Sequence, residues 1–167
     1  MYGNWRGTLP AFDASSIIHA WDHYPVNQFP KLWVWLGEQT QAEQFVVPEA
    51  VDGEVKDRAP DCHKWLHQHN PKIIPPTPAI LADALKLKAM LGIVNDKYNR
   101  AGVGENDLII IATCIQGHLE LVSNEGVQTD LPQNLAKCKI PAVCAMTPEK
   151  VACIDFRQVI MRSGKVF

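Results

Sequence analysis

An α/β fold is what the chain predicts, and three observations predict it. Stretches with apolar residues at helical spacing alternate with short apolar runs of strand length. That alternation favours a parallel sheet covered by helices on both faces. At 167 residues, with no internal repeat or low-complexity segment, the chain suits one domain with its own core.

The elements follow in order. Leu9 to Phe12 reads as a short buried strand. From Ser15 to about Tyr24, Ile17, Ile18, Trp21 and Tyr24 recur at helical spacing. Pro25 and Pro30 punctuate, and "FPKLWVWLGEQTQAEQ" is a helix whose wide apolar face carries Leu32, Trp33, Trp35 and Leu36. "FVVPEAVDGEVKD" gives an apolar triplet, a proline at a first helical position, then acids at 49, 52, 54 and 57. "PDCHKWLHQHNP" is a short helix between prolines, and "IIPPTP" a rigid extended connector. One long helix is expected from Ala79 to roughly Arg100, ended by "AGVG". "ENDLIIIATCIQGH" holds a further apolar helix, and "LELVSNEG" is a strand followed by a polar loop. "KIPAVCAM" and "VACIDF" are expected strands, and "RQVIMRSG" is a closing short helix. Residues 1–10 look unlike the rest and are set apart as an N-terminal extension, leaving a single domain over residues 11–167.

Composition excludes some roles. The formal net charge is −2, so there is no basic field of the kind that drives non-specific nucleic-acid binding. A protein that reaches phosphate through bound cations can be mildly acidic, so that route stays open. The five cysteines are an odd number without a CxxC pair. Cys114, Cys144 and Cys153 lie in apolar runs, which favours buried reduced thiols and a reducing compartment. No stretch is long and apolar enough to span a bilayer, and the first residues lack a signal peptide's apolar segment. A soluble, cytoplasmic protein without membrane partners is the expectation.

Four acids stand out. Asp13 ends the first strand, Glu54 lies a helical turn beyond Ala50, Asp107 opens the helix "LIIIATCI" with Asn106 as its cap, and Glu125 follows "ELVS". In a parallel sheet, strand ends and the starts of the following helices share one edge, where ligands gather. Acids meeting there repel unless cations neutralise them or some stay protonated. Oxygen donors alone favour Mg²⁺ or Mn²⁺ over zinc. Taken singly, Asp13 and Asp107 are better explained as helix caps or dipole partners, worth about 0.5–2 kcal/mol each. Glu54 alone reads as a solvated helix residue, and Glu49 and Asp52 are rivals for its role.

In this order, "FDASSI", "VPEAVDGEV", "ENDLIIIATC" and "LVSNE" resemble the acidic motifs of PIN-domain proteins, and "KIPAVCAM" resembles the strand that closes their sheet. The likeness runs from about Ala11 to Phe156 and is nearest to a bacterial PIN-like subfamily of uncharacterised members related to VapC toxins. It implies a three-layer α/β/α sandwich and a Mg²⁺- or Mn²⁺-dependent endoribonuclease, the toxin of a toxin–antitoxin pair. Asp13, Glu54, Asp107 and Glu125 would be its catalytic and metal-binding carboxylates, and Ser15 and Ser123 its supporting hydroxyls. RNA would be the substrate, with a cognate antitoxin and a second copy of the chain as partners. Two departures matter: Ala14 stands where the family commonly has Thr, and Glu125 where it usually has Asp. These keep a second reading in view, a PIN-like module that binds or regulates without hydrolysis.

Other signals are weaker. Lys86, Lys88, Lys97 and Arg100 are candidates for gripping an RNA backbone, although a solvated helix face is the favoured reading of such a set. His63 and His67, at i and i+4 in "CHKWLHQH", share a helix face able to hold zinc. No second cluster accompanies them, and a surface histidine group is the favoured reading. Trp33 and Trp35 suit core packing, or a partner-facing groove, better than base stacking.

Overall fold

A computed structural model describes residues 7–167 and builds a five-stranded, wholly parallel sheet in the order β3-β2-β1-β4-β5. The strands are short: β1 Pro10–Phe12, β2 Val46–Pro48, β3 Lys72–Ile74, β4 Glu120–Val122 and β5 Cys153–Ile154. Between β1 and β2 come α1 (Ala14–His23) and α2 (Pro30–Gln41), and between β2 and β3 come α3 (Glu49–Arg58) and α4 (Pro60–Gln68). Helices α5 (Pro78–Met90) and α6 (Glu105–Gly117) lead to β4. A 3-10 turn at Leu135–Lys137 and α7 (Ile140–Met146) lead to β5, and α8 (Phe156–Ser163) closes the chain. The three-layer α/β/α arrangement is the one the alternation of elements requires.

Side chains alternate across each strand, so the sheet divides the core in two. Ala11 and Leu121, partners in register, point into a cluster with Val51 and Val55 of α3, Ile110 and Ile111 of α6, and Val143 of α7. Phe12, Val122 and Ile154 point the other way, onto Leu32, Trp33 and Trp35 of α2 and Phe156 and Val159 of α8. Trp33 and Trp35 are buried core residues, with Trp33 edge-on to Trp21 and Trp65.

Several elements differ from the sequence reading. "KIPAVCAM" is a helix: Pro141 sits in its first turn, and Ile140, Ala142, Val143 and Cys144 are buried. "IIPPTP" is more than a connector, since Ile73 and Ile74 pair with β2 as the edge strand β3 before the prolines end it. The long helix stops at Met90, because Gly92 turns the chain with φ +67°. "AGVG" prepares the next helix instead of ending that one. A Cβ on Gly102 would stand 2.0 Å from the Ala136 carbonyl oxygen, so only glycine admits that approach, and Gly104 is the cap of α6. Pro10 lies in β1, and Leu9 accepts a hydrogen bond from Glu120 N–H, whereas residues 1–6 of the expected extension lie outside the described residues.

Cys62, Cys114, Cys138 and Cys144 are buried free thiols, and Cys153 is half-buried. Burial pushes the Cys62 thiol up to about 12, which makes it a packing residue and not a nucleophile. Among the described residues, no helix is long and apolar enough to cross a membrane.

Candidate functional site

Strand order puts β2 and β3 on one side of β1, and β4 and β5 on the other. The chain therefore switches direction between β1 and β4, and beyond the carboxyl ends of those two strands lies the crevice where open parallel sheets bind ligands. Asp13 directly follows β1, and Ser123, Asn124 and Glu125 directly follow β4.

Asp13 is only 4% exposed. It is the N-cap of α1, accepting from Ser15 N–H and, at 2.9 Å, from Ser15 Oγ. The Ser15 and Ser123 hydroxyls stand 3.4 Å apart, and Ser123 also hydrogen-bonds the Asp13 side chain. Ser16 Oγ reaches across to the Val122 carbonyl at 2.9 Å, and Asp13 N–H donates to the same oxygen at 2.9 Å. The two strand ends are thus laced together around one carboxyl group. Burial raises its pKa, the Ser123 and Ser15 hydrogen bonds oppose that rise, and the Glu125 charge adds to it. A cap and an active carboxylate are compatible roles here, because a carboxylate offers about four acceptor sites.

Asp107 occupies the third position of α6, where its Oδ2 accepts from Gly104 N–H at 2.8 Å. Asn106 is therefore not the cap, which is Gly104, with Asp107 reaching back to it. Burial pushes the Asp107 carboxyl up to about 6 against the Gly104 hydrogen bond, and the charges of Glu125, Asp13 and Glu54 push the same way. Those three acids come from β4's loop, β1's end and α3. The crevice accordingly collects negative charge from four separate parts of the chain.

Glu125 and Glu54 have other engagements. Glu125 Oε2 accepts from Ile140 N–H at 2.9 Å, capping α7, and Glu125 N–H donates to Ser123 Oγ at 3.2 Å. Glu54 lies inside α3, not at an element boundary, and pairs with Arg58 at 2.5 Å. Of its rivals, Asp52 turns to α4, where it meets His63 and His67, and Glu49 is exposed at the start of α3 beside Asn106 in a shallow cleft. Lys86 and Lys88 are on α5, bound to Asp83 and Asp96, whereas Lys97 and Arg100 belong to the loop after it.

Two features were missed in the sequence. Asn124 links the site's parts: its N–H donates to Ser15 Oγ at 3.0 Å, and its Oδ1 accepts from Phe156 N–H at 3.0 Å. The other is the group Asp52, His63 and His67, whose ligand atoms lie within 4.8 Å of one another. The histidine spacing was legible, but the third member belongs to the preceding helix and only tertiary packing supplies it.

Residues 11–167 match the family described as "Domain of unknown function (DUF4411)", and the chain belongs to that family. Its fold is similar to that in the crystal structure of PAE2754 from Pyrobaculum aerophilum. That likeness has a TM-score of 0.53 at 14% identity and covers 94% of this chain and 96% of that one. A comparison with curated proteins finds no match.

Proposed function

We propose that this member of the DUF4411 family is a divalent-cation-dependent ribonuclease of the PIN-like kind, working at the crevice beyond β1 and β4. The supporting observation is that Asp13, Glu125 and Glu54 all lie within electrostatic reach of Asp107, and that Asp13 and Glu125 also reach each other, with the Asp13 carboxyl group held in place by two serines. Burial raises the pKa of Asp107 and the neighbouring acids add to the rise, a cost that a bound cation would relieve. The donors are all oxygen, which fits Mg²⁺ or Mn²⁺. Asp13, Asp107, Glu125 and Glu54 would hold the ion, which when bound supplies an activated water and absorbs charge on the phosphate.

The chain's own residues account for the rest. Ser15 and Ser123 fix the orientation of the Asp13 carboxylate, and Asn124 fixes Ser15 relative to α8. Asp107, held at the start of α6 by its bond to Gly104 N–H, would bind the metal through its remaining acceptor positions. RNA as the substrate, and an antitoxin that covers the crevice, complete this reading and rest on the motif resemblance.

A mixed RNA pool incubated with the purified chain and Mn²⁺ or Mg²⁺ tests the proposal, beside a chelator control and Asp13→Asn. Asparagine keeps an oxygen for the α1 cap, so the fold survives the change. Cutting should need the metal and fall by on the order of 100-fold or more in the variant, since even indirect perturbation of a metal site costs about 10–100-fold. Equal inertness of both proteins, with no metal uptake by calorimetry, would leave the non-hydrolytic binding module as the better account.

A further inference from the structure

We propose a second metal site, on the α3–α4 hairpin, formed by Asp52, His63 and His67 and suited to a borderline divalent ion of the Zn²⁺ or Co²⁺ class. It is independent of the acidic crevice. Asp52 and Glu54 are two residues apart on α3, roughly 200° around the helix, so they face different neighbours.

The geometry carries the proposal. His63 and His67 lie one turn apart on α4, their rings 4.2 Å between centroids, with both Nε2 atoms turned to the same Asp52 oxygen. His67 Nε2 is 2.7 Å from Asp52 Oδ1, and His63 Nε2 is 3.2 Å from it. Donors about 2.0–2.1 Å from a tetrahedral ion stand roughly 3.3 Å apart. Closing this group on an ion therefore needs small side-chain movements and no change of backbone.

A second observation points the same way. His63 Nε2 is buried and makes no hydrogen bond among the described residues, although it faces the carboxylate. Buried polar atoms are rarely left so, and a metal ion would satisfy this one. Two imidazole nitrogens and one carboxylate oxygen are a donor set for zinc or cobalt and a poor one for Mg²⁺. Three protein donors leave a fourth position for water or an incoming group. The bound ion would clip α3 to α4.

Calorimetric titration of the chelator-treated full chain with zinc chloride tests the site, with Co²⁺ absorption reporting its geometry. Wild type and Asp13→Asn should both take up the ion with a tetrahedral Co²⁺ spectrum. His67→Gln and Asp52→Asn should weaken uptake by about tenfold or more, given what metal sites lose on ligand perturbation. His67 is 44% exposed at its side chain, so that variant should keep its fold, as circular dichroism would verify. A variant-free reading comes from wild-type NMR, where two imidazoles should shift together as Zn²⁺ is added. Absence of uptake by wild type, or uptake unchanged in both hairpin variants, would overturn the proposal. Loss of uptake in Asp13→Asn alone would assign the ion to the crevice and overturn it equally.

Discussion

Asp107 shows how one residue joins structure to chemistry. Its carboxyl ionises at about 6 in the folded chain, against 3.8 for an unperturbed aspartate, chiefly because it is buried. Between those values the folded state binds a proton that the unfolded state has released. Its contribution to stability is therefore full below about pH 3.8 and is lost as pH rises through 6. The whole shift corresponds to at most about 3 kcal/mol, and the residue is only half-buried, so on the order of 1–2 kcal/mol is expected. In chelator-treated protein, Asp107→Asn should remove that part of the pH dependence and raise stability at pH 7.5 by this amount. Its side-chain oxygen still accepts from Gly104. Urea midpoints at pH 4.5 and 7.5 would decide, and parallel pH profiles for the two proteins would refute the assignment. Asp13 and Asp107 were legible in the sequence because each stands at an element boundary. The pairing of Asp52 with two histidines was not, because it depends on how α3 and α4 pack.

At the scale of elements, Glu125 caps α7 from a different loop, a contact that sequence alone could not reveal. "KIPAVCAM" has the apolar run of a strand, and a seven-residue helix has little intrinsic stability of its own. What favours the helix is Pro141 in the first turn, burial of Ile140, Val143 and Cys144, and a carboxylate from another loop on the Ile140 N–H. The missed strand β3 has a related explanation: three residues are too few to show alternation, and the following prolines dominate the pattern. The cap allows structure and catalysis to be separated. Glu125→Ala should cost about 1 kcal/mol through the lost cap, whereas Glu125→Gln retains an acceptor and should stay close to wild type in stability. If Glu125 also holds a cation, both variants should lose nuclease activity. Thermal melts set beside the RNA assay would show it, and full activity in Glu125→Gln would limit the residue to capping.

Over the whole molecule, the fold class was the most legible property, because alternating helices and short apolar strands leave few architectures other than a parallel sheet between helical layers. The strand order was less accessible, yet it determines the site by placing the switch in direction between β1 and β4. The sheet also separates two clusters, one against α3, α6 and α7, the other against α2 and α8. Ile17, Trp21 and Trp65 pack against both, so the clusters should melt as a unit. Phe156, 1% exposed at the start of α8, tests this from one side. Phe156→Ala should destabilise the chain by about 3–5 kcal/mol. Trp33 and Trp35 report the cluster that loses the ring, and far-UV circular dichroism reports the helices of both. The urea midpoints from tryptophan fluorescence and circular dichroism should shift together. A fluorescence midpoint that falls while most of the helical signal persists would mean that the α2–α8 side unfolds alone, and that the acidic crevice lies on a more stable half of the molecule.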